Sequence, residues 1–195
     1  MPRFSEIEKD QIKTNLLVEG ERLFEIYGLK KVTIDDIVFA VNIAKATFYT
    51  FYDSKESLYL DIVQNIQLNI FNELDQLLNT NGKLNNKQRV KQVFMTMHAL
   101  MLKYSILSQI DNGTVELILR KVGKERLAMF LSQNVDATLV LVRHGIKFTC
   151  SAETASYTFQ ALYHGWLSLH SQDETLQEEV SDILLNGIID KIVSD

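Results

Sequence analysis

Proline occurs once in this chain, at Pro2, so nothing beyond the first residues carries the side chain that breaks helix interiors. Only eight glycines punctuate the 195 residues, and long helices are available almost everywhere. An all-α fold is the expectation. The length permits either one compact fold or a small head joined to a larger body.

No window approaches the roughly 18 to 20 unbroken apolar residues that span a bilayer, and the N-terminus Met1-Pro2-Arg3-Phe4-Ser5-Glu6 turns acidic. A cytoplasmic protein without a membrane partner is expected. The lone cysteine, Cys150, has no partner for an intramolecular disulfide and no CxxC or His/Cys spacing around it, and reads as a buried thiol. A net charge of -5 excludes a nucleic-acid coat or a polybasic membrane binder, so any DNA contact must be local.

Ser5 followed by Glu8 forms a capping-box pattern, after which Ile12, Leu16, Leu23, Phe24 and Tyr27 recur at helical spacing up to Gly28. Thr33 heads a second helix with Asp36 three residues on, and Ile37, Ala40 and Val41 form its inner stripe. A short segment, 44 to 52, follows Asn42, and Ser54-Lys55-Glu56-Ser57 opens a long helix carrying Leu58, Ile62, Ile66, Ile70, Leu74 and Leu77. Further helices are predicted near 87–107, 114–121, 124–147, 152–172 and 175–193, about nine in all, with breaks at Asp111-Asn112-Gly113, Gly123, Thr149 to Ser151 and Gln172-Asp173. The β-branched run from Val135 to Val142 suits a strand by propensity, but lies inside a helical window without turn signals.

The informative stretch runs from Thr33 to Leu58. Two short helices joined by a tight turn need apolar inner faces, a turn residue tolerant of positive φ, and a small, polar outer face that can enter a groove. Ile37, Ala40, Val41, Ile43 and Phe48 supply the first and Asn42 the second, leaving Lys45, Ala46, Thr47, Tyr49 and Thr50 facing out. Read alone, Thr47 to Tyr52 would also make a strand; the flanking caps argue for the helix.

With Thr33, Ile37, Lys45-Ala46-Thr47-Phe48-Tyr49 and Ser54-Lys55-Glu56 in this order, roughly residues 5 to 62 resemble the DNA-binding head of the TetR family of transcriptional regulators. The resemblance implies a three-helix helix-turn-helix head (1–53) and a helical-bundle body (54–195) that begins with a connecting helix, about 54–79. It also implies a dimer through the last two long helices and a small-molecule pocket in the body. Carried over position by position, Lys45, Ala46, Thr47 and Thr50 would approach base edges or phosphates, Tyr49 would donate its hydroxyl to a phosphate, and Lys55 and Thr33 would meet phosphates at helix starts. The chain departs from the pattern twice. Asn42 stands where the family usually has Gly, and Ala44 where Ser or Thr caps the recognition helix, leaving open whether Asn42 caps instead. The head is also acidic, with eight basic against ten acidic side chains over residues 1–57. Affinity must then rest on which side chains face the duplex and on doubled contacts in a dimer.

In the body, Met97, His98, Met101 and Tyr104, then Met129 and Phe130, then Phe159, Tyr163 and Trp166 are candidates to line a pocket for a small, largely apolar effector; the other reading of each is ordinary core. The four histidines show no zinc spacing, and neither a metal nor a cofactor is expected. Val180, Ile183, Leu184, Gly187 and Ile188 form an apolar stripe on the final helix suited to a homodimer, which would read a pseudo-palindromic double-stranded operator. No Gly-rich phosphate loop, GxSxG, HExxH or paired-acid motif points to an enzyme. The sequence supports a ligand-released repressor, with a helical carrier of apolar ligands that has lost DNA binding as the alternative.

Overall fold

The computed structural model describes residues 4–80, 84–132, 136–168 and 173–194, and the side chains among them other than 129–132, 167–168, 174 and 177. The described residues are all-α, in eleven helices: α1 Glu6–Lys31, α2 Ile34–Val41, α3 Lys45–Phe48, α4 Lys55–Thr80, α5 Asn86–Lys103, α6 Ser105–Ser108, α7 Asn112–Val122, α8 Lys124–Ser132, α9 Ala137–Arg143, α10 Ala152–Ser168 and α11 Glu174–Ile192.

Side-chain caps account for most helix starts. Ser5 takes the amide of Glu8 while the Glu8 carboxylate takes the amide of Ser5, and Thr33 and Asp36 repeat the box at α2. Ser54 Oγ takes the Ser57 amide, Asp111 that of Thr114 (2.6 Å), Asp136 that of Thr138 and Asp173 that of Thr175. Gly28, at φ 76°, kinks the end of α1 where the sequence places a stop.

The chain divides into more helices than expected for local reasons. The helix expected over 87–107 ends at Lys103, and Tyr104 starts the short α6. The one expected over 124–147 becomes α8 and α9, because the Asp136 carboxylate caps a fresh start. Residues 137–143 are helical, not strand; Val135 lies outside the described residues. Cys150 is only half-buried, not a fully buried thiol.

Two compact units make up the chain. The first comprises residues 1–68 and 101–134, so that it contains the whole of the expected head. Its core is Leu16, Phe24, Ile37, Phe48, Leu58, Tyr59 and Ile62, with Phe24 and Tyr59 meeting edge to face at 5.2 Å. Gly20 lets α1 and α4 close up, since a Cβ there would lie 2.9 Å from Ile62 Cδ1. Gln109 donates to the Glu25 carbonyl and Lys30 pairs with Asp111, fastening the segment after α6 to α1.

The second unit comprises residues 69–100 and 135–195. Val93, Phe94, Val140, Leu141, Phe159, Leu162, Trp166, Leu185 and Ile189 fill it. Trp166 is stacked on Phe94 (5.4 Å) and on His98 (4.1 Å). Lys87–Asp190 and Lys91–Asp182 join α5 to α11 at the surface, and His144 Nε2 lies 2.8 Å from Asp75.

Phe24→Ala should remove about 3 to 5 kcal/mol of stability, because it opens a cavity in the first core. Urea unfolding checks this; a loss below about 1 kcal/mol would contradict the packing described.

Candidate nucleic-acid interface

The candidate recognition element is the four-residue helix α3, and its position follows from the residues on either side. Asn42 ends α2 at φ 57° and ψ 49°, the left-handed geometry that Asn tolerates better than other residues with a Cβ. Its amide and that of Ile43 turn back to the carbonyls of Phe39 and Val38. Phe48 is fully buried between the two helices' inner faces and contacts the rings of Tyr49 and Tyr52. The N-cap of α3 is Ala44, with no side-chain cap, so Asn42 does not take over that duty.

The outer face carries the expected residues in different states. Lys45, Ala46, Tyr49 and Thr50 are exposed and Thr47 is half-buried. Thr50 Oγ1 donates to the Thr47 carbonyl at 2.7 Å, which closes the turn after α3. Lys45 Nζ sits 2.9 Å from Asp35, whose carboxylate, by accepting that hydrogen bond, raises the lysine's pKa. Thr33 is held in its capping box, and its hydroxyl and then its amide lower the pKa of Asp36.

Lys55 is occupied more deeply. Its ammonium donates to the carbonyls of Leu29 (2.7 Å), Val32 (2.5 Å) and Lys30 (3.4 Å), the groups that the end of α1 leaves without helical partners.

Thr33, Lys45, Tyr49 and Lys55 line one shallow depression of about 390 Å³ together with Asp35, Asp53, Ser54, Glu56 and Lys121. Ala46, Thr47 and Thr50 are outside its wall. Lys121 reaches this depression from α7, and no local sequence signal could have placed it there. Phe39 on α2, given no role by its pattern, is 89% exposed.

The nine pocket candidates do not form one lining. Met101 and Tyr104 belong to the first unit, and Met97, His98, Phe159, Tyr163 and Trp166 to the second. The side chains of Met129 and Phe130 lie outside those described. Phe159 is core, His98 packs on Trp166 and edge-on to Tyr163, and Met97 is half-buried. A cavity of about 660 Å³ in the second unit takes only Trp166 from the set. On α11, Ile183 is 65% and Leu184 44% exposed, Gly187 is exposed with open space around it, and Val180 and Ile188 are half-buried. No group of three or more His, Cys, Asp or Glu that could hold a metal occurs among the described residues, and no described helix is long and apolar enough to cross a membrane.

A two-helix unit with a left-handed turn and an exposed second helix has the geometry of a helix-turn-helix. Residues 16–62 match the family model of bacterial regulatory proteins, tetR family. No curated protein matches the chain by sequence. In fold it resembles a Mesorhizobium loti MAFF303099 protein described as a TetR-family transcriptional regulator (TM-score 0.70, 11% identity, 95% of this chain and 98% of that one). It also resembles SmeT, the repressor of the Stenotrophomonas maltophilia multidrug efflux pump SmeDEF (0.61, 15%, 94% and 91%). A third likeness is to the fatty acid degradation regulator FadR from Bacillus halodurans (0.60, 13%, 89% and 94%). The family model thus matches the head, residues 16–62, in sequence, and these structures match the chain in fold.

Because Asp36 titrates below its ordinary value in the folded state, the stability it contributes is complete above its unfolded pKa of about 3.9 and is lost as pH falls through the lower folded value. Asp36→Asn should therefore lower the melting temperature at neutral pH and weaken its acid dependence. A variant that melts like the parent at both pH values would remove the capping role.

Proposed function

We propose that the chain is a dimeric, sequence-specific DNA-binding repressor that a small molecule releases from its operator. The observation that carries this reading is the exposed face of α3, where Lys45, Ala46, Thr47, Tyr49 and Thr50 stand on a turn fixed by Asn42 and a core fixed by Phe48. Ala46 is small enough for close approach to base edges, Thr47 and Thr50 offer hydroxyls, and the Tyr49 hydroxyl suits a phosphate. Phe39 adds apolar surface for a sugar or a thymine methyl.

Electrostatics make the contact conditional. Lys45 reaches a phosphate by leaving Asp35, an exchange between two water-exposed partners. Thr33 keeps its hydroxyl in the capping box, so its contribution is to hold the first turn of α2 in place beside the duplex. Lys55 serves in the same indirect way, holding the start of α4 to the end of α1 beside the amides of α4.

One protomer presents one short helix, and two-fold doubling supplies the second about 34 Å away, one turn of B-form DNA. The face of α11 formed by Val180, Ile183, Leu184, Gly187 and Ile188 is the proposed contact between copies, with Gly187 allowing close helix approach. An effector that favours the state with weaker DNA affinity shifts the population off the operator.

The uncapped Ala44 and the Lys45–Asp35 pair favour a second reading, a helical ligand carrier with weakened DNA binding. A mobility shift on DNA upstream of the chain's own gene separates the two. The repressor reading predicts a salt-sensitive complex; no complex at low salt, with ligand binding intact, would favour the carrier.

Lys45→Ala should weaken binding to all sequences and reduce the salt slope by about one per protomer, while Thr47 or Thr50 substitutions change the preferred sequence. A salt slope left unchanged would remove Lys45 from the phosphate contacts. Ile183→Glu should give monomers by analytical ultracentrifugation and lose operator binding; a persistent dimer would move the interface off this face.

A further inference from the structure

We propose that the cavity beside α11 binds a monovalent ammonium carrying an aryl or alkyl tail. The inference deepens the effector reading, and it rests on that reading only for the consequence on DNA.

The cavity, about 660 Å³, has an apolar wall of Met95, Trp166 and Leu185. Trp166 is stacked on Phe94 and on His98, so its indole is already fixed in place. A ligand tail meeting such a wall orders little that was loose before, which keeps the entropic cost of binding low. Held by these two stacks, Trp166 receives the tail, and the positive charge is recognised by other lining groups.

Glu178, Glu179 and Asp182 also line this cavity. Asp182 is already engaged by Lys91 (2.6 Å) and by Asn186 Nδ2 (2.9 Å). Glu178 and Glu179 have no ion pair among the described residues, and they leave the mouth with negative charge that a cation would neutralise. Between them in sequence and Leu185 lies Ser181, which is only 4% exposed and whose Oγ has no hydrogen-bond partner. A buried hydroxyl without a partner is costly and uncommon. In a cavity lined by carboxylates, an ammonium N–H supplies that partner while its charge meets Glu178 and Glu179. An anionic ligand would be repelled by the same carboxylates, and a neutral alcohol would satisfy Ser181 alone.

At 100° per residue, Glu178 and Leu185 lie on the side of α11 opposite Ile183 and Gly187. Occupancy of the cavity therefore acts on the helix that carries the proposed dimer face.

Trp166 is the sole tryptophan of the chain, so intrinsic fluorescence reports on this site directly. The full-length protein would be titrated with 4-phenylbutylammonium, 4-phenylbutanol and 4-phenylbutanoate, which share one tail and differ in head charge. The proposal predicts a saturable change, with the ammonium bound at least about tenfold tighter than the alcohol and the carboxylate weakest. The double variant Glu178→Gln, Glu179→Gln should lose that preference and keep the alcohol's affinity, and Ser181→Ala should weaken ammonium and alcohol alike. The proposal is overturned by a carboxylate or alcohol that binds as well as the ammonium, by no saturable change with any of them, or by a double variant that binds the ammonium undiminished. Repeating the titration with the DNA complex tests the consequence separately: saturation without any effect on the mobility shift would support the site and overturn its role as effector site.

Discussion

A helix of four residues has no stability of its own, because the first turn costs more conformational freedom than its hydrogen bonds return. The geometry of α3 is therefore borrowed from one buried ring, Phe48, and from the left-handed turn at Asn42. Every exposed side chain of the recognition face is placed by these two residues. The caps at Ser5, Thr33 and Ser54, the Lys55 ammonium on the α1 carbonyls and the Gly20 close approach all serve to keep that arrangement rigid.

The same economy explains the electrostatics of the head. Several of its acids are engaged locally, Glu8 and Asp36 in capping boxes and Asp35 on Lys45, and outside the head Asp111 caps α7 with Lys30 beside it. The Thr114 hydrogen bonds and the Lys30 pair hold the Asp111 carboxyl down to about 2. The capping acids fix helix termini, and Asp35 places negative charge in the wall of the depression beside α3. In the proposed complex, affinity would come from a few well-placed contacts repeated by symmetry, not from a basic surface.

Much of this was legible in the sequence because it is local. The capping boxes, the Asn42 turn and the break at Asp111 each rest on residues within four positions of one another, and the structure has them as expected. What was not legible depends on distant residues. Lys55 looks like a phosphate ligand in sequence, and only the fold brings the carbonyls of Leu29 and Val32 to it. Trp166 looks like one of several pocket aromatics, but it is stacked on Phe94 and His98, and it and Phe159 are part of the core of the second unit. Glu178, Glu179 and Ser181 gave no signal, since a polar run on a terminal helix reads as a solvated face until a cavity is found beneath it.

In the proposed complex two copies of α3 meet successive major grooves on one face of a duplex. Hydroxyl-radical footprinting of the full-length protein on DNA upstream of its own gene tests it most directly. Two protected tracts related by two-fold symmetry and centred about 34 Å apart are predicted. A single tract, or no protection at low salt by a protein that is folded and dimeric, would contradict it.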